Sequence, residues 1–252
     1  MKKRAFKTKY RLWAILFWIA VWQLAAMAIG TDFILATPLS TLRQLFELMG
    51  TADYWASIGR SGSRILIGFC AAVLSSVGLA ALSVHFRRVR ELLAPAVAAV
   101  KSVPVASFTI VALLLVGSKN LSVLISFLIS FPLVYSNVIA GIESVGRSLL
   151  EMAEVFRVPF CRRLIHIYIP HVFPFFQSAL SVAMGLAWKS GIAAEVIGIP
   201  DGTIGDKLYK AKAYLWSDDT LAWTVTIIVI SLVFEAVVSR IMKKIAGRLE
   251  KW

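Results

Sequence analysis

Residues 151–170 read Glu-Met-Ala-Glu-Val-Phe-Arg-Val-Pro-Phe-Cys-Arg-Arg-Leu-Ile-His-Ile-Tyr-Ile-Pro, and their types and spacing suit recognition of a partner. Leu149, Leu150, Ala153, Val155 and Phe156 recur at helical spacing as an apolar stripe, with Glu151 and Glu154 beside it. Pro159 breaks that helix. A second short helix carries Arg162 and Arg163, and Pro170 is expected to stop it. Two short helices meeting at a turn suit docking into a groove on a soluble protein. Small Ala153 would let the first helix approach that groove closely, and Glu151 could pair with a basic residue there. An interfacial connector with no partner is the plainer reading of the same residues.

Four charges lie inside otherwise apolar stretches: Lys101, Lys189, Glu195 and Glu235. A charge at mid-bilayer costs at least about 2.5–3.5 kcal/mol, so each is a functional candidate. Lys189 reads either as a cation lining an anion pathway or as a packing charge paired across an interface. Lys189 and Glu195 are six apart, so each needs its own partner or a wet cavity. Lys101 can snorkel to the surface, and Glu235 borders headgroups. Trp188, Met184, Phe131 and Tyr135 could line a pathway or simply pack.

Catalytic patterns are missing. The sequence has no G-x-x-x-x-G-K-[ST], no H-E-x-x-H and no paired cysteine cluster. His166 and His171 are five apart, off-face on a helix. Cys70 and Cys161 give no disulfide framework. Energy for any uphill transport must come from another chain.

The elements that hold these residues are set by composition. Of 252 residues, 59% are hydrophobic and 16% charged, with mean hydropathy +0.78. A soluble fold of this size could not bury that much apolar surface, so the chain reads as an all-α integral membrane protein. Disorder and a collagen-like fold are excluded on the same numbers. The net charge of +13 would suggest nucleic acid in a soluble protein, but here its placement matters more.

Six stretches are long enough for helical spans: about residues 12–29, 65–84, 92–117, 121–142, 172–199 and 220–241. The first has too long an apolar core for a signal peptide and reads as a retained span. Gly117-Ser118-Lys119-Asn120 suits a tight turn between spans three and four. Thr31–Arg64 holds Leu42, Leu45, Phe46 and Met49 at helical spacing, either an interfacial helix or a packed loop helix. Six spans put both termini on one side. Eighteen Lys and Arg fall on that side and seven on the other, which places both termini and the loop 143–170 in the cytoplasm.

The loop resembles the EAA loop of ABC importer permeases. Glu151, Met152 and Ala153 match its start, and Ile167, Ile169 and Pro170 match its I-x-L-P end. Met152 replaces an Ala, and Arg157 stands where that family has Gly. A Gly there serves a tight turn, and a positive φ would be costly for Arg157. Pro159 could set the turn instead, or the turn is wider here.

Further pieces resemble the nitrate, sulfonate, taurine and bicarbonate branch: Ser63-Arg64 with Gly68-Phe69, Lys101-Ser102-Val103-Pro104, Phe131-Pro132 with Asn137 and Gly141, Trp188 with Ala193-Ala194-Glu195 and Gly198, and the ending Leu249-Glu250-Lys251-Trp252. The resemblance implies a multi-pass permease of the bacterial plasma (inner) membrane, not an enzyme. It implies a second permease copy, commonly identical, and an extracytoplasmic solute-binding protein. Cytoplasmic ATPase subunits would use the ATP and Mg, this chain binding no cofactor. Glu151, Met152, Ala153, Glu154, Arg157, Pro159 and Pro170 would then contact the ATPase. A stand-alone secondary carrier, or a permease for an uncharged vitamin precursor, is the alternative.

Overall fold

The computed structural model describes residues 12–31 and 34–249. Residues 1–11, whose six Lys and Arg are among the eighteen, and the tail residues Glu250, Lys251 and Trp252 lie outside the described residues. Among the described residues all regular structure is helical.

Helix α1 (Leu12–Ile29) is apolar on every side and stands apart from the rest. Its main tie is Trp22, whose Nε1 donates to the Ala36 carbonyl at 3.2 Å. Helix α2 (Pro38–Met49) starts at Thr37, whose hydroxyl accepts from the Ser40 N–H, with Pro38 in its first turn. Thr41, Leu45 and Leu48 face the core, and Leu39, Leu42 and Phe46 face outward.

Helix α3 (Ala52–His85) is about 51 Å long at 1.5 Å per residue, more than a bilayer core needs. The expected third span, residues 92–117, is not one helix. Helix α4 (Arg87–Ser102) is amphipathic and ends before Pro104. Pro104 lacks an N–H and forces Val103 into an extended conformation, which separates the two segments. Helix α5 (Val105–Glu143) then folds back on itself at Gly117 (φ 70°, ψ 170°), a conformation open to glycine. Val105 and Phe108 share a cavity with Ile125 and Ile129. In a straight helix Phe108 and Ile125 would be about 25 Å apart, so residues 105–116 and 118–143 are antiparallel arms. The turn falls where the sequence places it, but the arm before it begins at Val105.

After α6 (Arg147–Val155) and α7 (Phe160–Arg163), a π-helical turn (Leu164–Tyr168) runs directly into α8 (Ile169–Gly198). Pro170 therefore does not stop the chain at the membrane. It lies just past the π turn, whose wider bonding, with the Ile169 N–H donating to the Leu164 carbonyl, lets the helix pass a residue that has no N–H to give. Helix α9 (Ile204–Ala213) follows a tight loop, and α10 (Ser217–Leu249) completes the fold. Among the described residues four helical stretches are long and apolar enough to cross a membrane: Ala52–His85, Val105–Glu143 with its two arms taken together, Phe160–Gly198 and Ser217–Gly247; α1 is a shorter apolar helix.

Helices α3, α5 and α8 form the core. Small buried residues let their backbones approach: Ala72, Ser76 and Ala80 on α3, Ser126 and Ser130 on α5, Ala179, Ala183 and Ala187 on α8. Hydrogen bonds cross between them. Ser76 Oγ donates to the Phe131 carbonyl (2.9 Å), Ser126 Oγ to the Ala187 carbonyl (3.2 Å), and Tyr135 Oη to Ser83 Oγ (2.8 Å). Helix α10 packs on this core but turns Ile228, Val229, Leu232 and Val233 outward, as a lipid-facing helix does.

Candidate functional site

The segment between α5 and α8 folds as a small knob with its own core. Leu149, Leu150 and Ala153 on α6 face Val145, Val158, Ile167 and Tyr168. Ala153 is 1% exposed. It faces its own chain and not a partner groove, because it lies directly against the π turn. The apolar stripe read from sequence therefore divides in two. Its second half, Val155 (79% exposed) and Phe156 (74%), points outward with Met152 and with Phe160 of α7. Glu151 and Glu154 flank these residues. Among the described residues no hydrogen bond or ion pair engages either carboxylate.

The turn that ends α6 is resolved by Arg157, which has φ 48°. The Arg157 N–H donates to the Glu154 carbonyl (2.9 Å), and the Val158 N–H donates to the Ala153 carbonyl (2.9 Å). That pair of bonds, with Val158 packed near Ala153, is a Schellman closure. Its left-handed position is normally glycine. The turn is therefore neither widened nor moved to Pro159: it is tight, and Arg157 itself takes the strained left-handed position. Pro159 then starts α7, its carbonyl accepting from the Arg162 and Arg163 N–H groups. Arg163 reaches back: Nε donates to the Val158 carbonyl (2.8 Å) and Nη2 to the Ala153 carbonyl (3.3 Å).

The intramembrane candidates are scattered. Lys189 is exposed on the face of α8 that also carries Ser178, Val182 and Leu186. It makes no hydrogen bond or ion pair among the described residues. Trp188, beside it, is fully buried; its Nε1 donates to the Ile227 carbonyl (3.2 Å) and its ring lies 5.0 Å from Phe234. Lys101, at the end of α4, donates to Ser136 Oγ on α5 (2.7 Å). Glu235 is exposed on α10.

Glu195 is buried near the far end of α8. Its Oε2 accepts from Ser61 Oγ on α3 (2.6 Å) and from the Gly205 N–H on α9 (3.4 Å). Ser61 Oγ in turn accepts from the Ile204 N–H (2.9 Å). A Cβ at position 205 would lie 2.3 Å from Glu195 Cβ, so only glycine permits this approach. Thr203 caps α9 by accepting from the Asp206 N–H, and Asp206 accepts from the Gly202 N–H (3.0 Å) and from Lys210 (2.9 Å). Asp206 holds the Lys210 ammonium to a higher pH than usual. Lys207 pairs with Asp53 of α3.

Residues 63–251 match the family model of the binding-protein-dependent transport system inner membrane component. The chain belongs to this family. The match covers α3 from Ser63 onward, the knob, α8 and α10, and leaves α1 and α2 outside. The permease is 26% identical over 239 residues to the putative aliphatic sulfonates transport permease protein SsuC of Escherichia coli (strain K12), covering 92% of this chain and 86% of that one. It is 24% identical over 220 residues to the taurine transport system permease protein TauC of the same organism, covering 85% and 80%. It is 22% identical over 247 residues to the nitrate import permease protein NrtB of Synechocystis sp. (strain ATCC 27184 / PCC 6803 / Kazusa), covering 94% and 86%.

The protein is thus a multi-pass inner-membrane permease subunit of an ATP-driven importer. It is not an enzyme; ATP hydrolysis belongs to a separate subunit, and a solute-binding protein serves the same system. Sequence reasoning singled out Glu195 but missed Ser61 and Gly205, which hold it. The signal was a small residue on each of two distant segments, which nothing local marks. Arg163 was noted only as a charge.

Proposed function

We propose that this permease works as a homodimer, couples to cytoplasmic ATPase subunits through α6 and its turn, and passes a small oxyanion. The observation that carries the coupling reading is the knob's division into two faces. Its inner face is packed, while Glu151, Met152, Val155, Phe156 and Phe160 form an outward surface, part acidic and part apolar. Such a face suits helix-in-groove docking. Arg157 and Pro159 shape its edge, and Pro170 begins the helix that would carry its movement into the membrane. ATP and Mg bind on the ATPase subunits. The basic count supports cytoplasmic termini and a cytoplasmic knob.

The pathway reading rests on Lys189. A free ammonium on an apolar helix face needs water or a partner within the bilayer. A second copy facing α8 would supply both, with the two lysines bordering a wet anion path. Taurine, aliphatic sulfonates and nitrate, the solutes in the relatives' names, all present oxyanion oxygens to such a cation. Buried Glu195 and Trp188 act in positioning α8, and Lys101 ties α4 to α5.

Reconstitution tests the proposal. Vesicles with the permease, its ATPase and its binding protein should take up a sulfonate, taurine or nitrate only with ATP. Uptake by the permease alone would establish a carrier instead.

A further inference from the structure

The α6 turn holds a non-glycine residue in the left-handed region, and one side chain spans that turn. We propose that Arg163 is the positioning residue that keeps the coupling knob in its docking shape, offsetting the strain at Arg157. This rests on the coupling reading above.

The geometry is specific. A Schellman closure needs its left-handed residue to stay left-handed, and glycine does so without steric conflict. Arg157 meets a Cβ conflict there. Arg163 donates to the carbonyls of Val158 and Ala153, one just past the left-handed residue and one at the end of the α6 ladder. The Ala153 carbonyl also accepts the closure's own bond from the Val158 N–H. One guanidinium thus joins both ends of the loop that Arg157 would open. If the loop opens, Phe160 of α7 loses its place beside Met152, Val155 and Phe156 of α6, and the outward face is no longer one surface. The fork shape matters: a lysine in place of Arg163 could reach one carbonyl but not hold two in fixed directions.

The test uses the full chain co-expressed with its ATPase subunit. Arg163→Met should weaken ATPase retention at least about tenfold, the loss expected of hydrogen bonds from a charged group. Amide exchange at Val158 should speed up by a similar factor. Arg157→Gly in the Arg163→Met background should restore both, because glycine needs no clamp. Glu151→Lys serves as the control on the coupling reading. If Glu151→Lys releases the ATPase while Arg163→Met keeps it and leaves Val158 protected, the clamp is overturned and coupling stands. If Arg163→Met releases the ATPase but Arg157→Gly fails to rescue it, Arg163 acts otherwise than by offsetting strain, and the proposal is overturned. If Glu151→Lys retains the ATPase, the coupling reading fails, and exchange at Val158 with its rescue still decides the clamp.

Discussion

Glu195 on α8 and Ser61 on α3, separated by 134 residues, meet at 2.6 Å in the buried core. The same Ser61 oxygen receives the Ile204 N–H, so one hydroxyl joins α3, α8 and α9. Ser61→Ala should remove both bonds and leave a buried carboxylate with only the 3.4 Å bond from Gly205. The loss is expected at about 1–3 kcal/mol. For a chain of this size that lowers the unfolding temperature by roughly 2–10 °C. Thermal unfolding of the purified permease in detergent checks it, and an unchanged unfolding temperature would speak against the node.

Lys189→Met keeps the span apolar while removing the exposed cation. Uptake of an oxyanion should fall at least about tenfold while dimer and ATPase recovery stay at wild-type levels. Normal uptake would take Lys189 off the pathway and leave it a packing charge. A dimer that falls apart would make it an interface residue.

Topology can be read by labelling single cysteines. Cys70 and Cys161 are both exposed, so the background must carry Ser at both positions. A cysteine at Lys207 should react with an impermeant reagent in intact cells, and one at Arg147 only after permeabilisation. Labelling at Arg147 in intact cells would invert the orientation drawn from the basic count.

Much of this architecture is written locally. The turn at Gly117 is legible because Gly-Ser-Lys-Asn interrupts two apolar runs, and α1 and α10 are legible because apolar runs of that length have few alternatives. The separation of α4 from α5 is not legible in hydropathy, which averages over the break that Pro104 imposes on Val103. The knob's position and its Arg157 departure were legible. The facing of Ala153 was not, since helical periodicity defines a stripe without saying which half meets the π turn. Ser61 and Gly205 were illegible for a stronger reason: their roles exist only once α3, α8 and α9 are brought together.

The proposed docking of the ATPase on α6 and its turn is read off by ATPase retention in outward-face variants. Phe156→Asp puts a charge where an exposed aromatic should be buried, and Glu151→Lys reverses the neighbouring charge. Each should weaken docking about tenfold to hundredfold, from lost apolar burial or a lost charged hydrogen bond. Lys212→Ala, at an exposed position of α9, is the control. The ATPase subunit should co-purify with the control and be lost from both knob variants, all three being recovered equally from the membrane. Retention of the ATPase by Phe156→Asp and Glu151→Lys at the level of the control would show that the ATPase docks elsewhere.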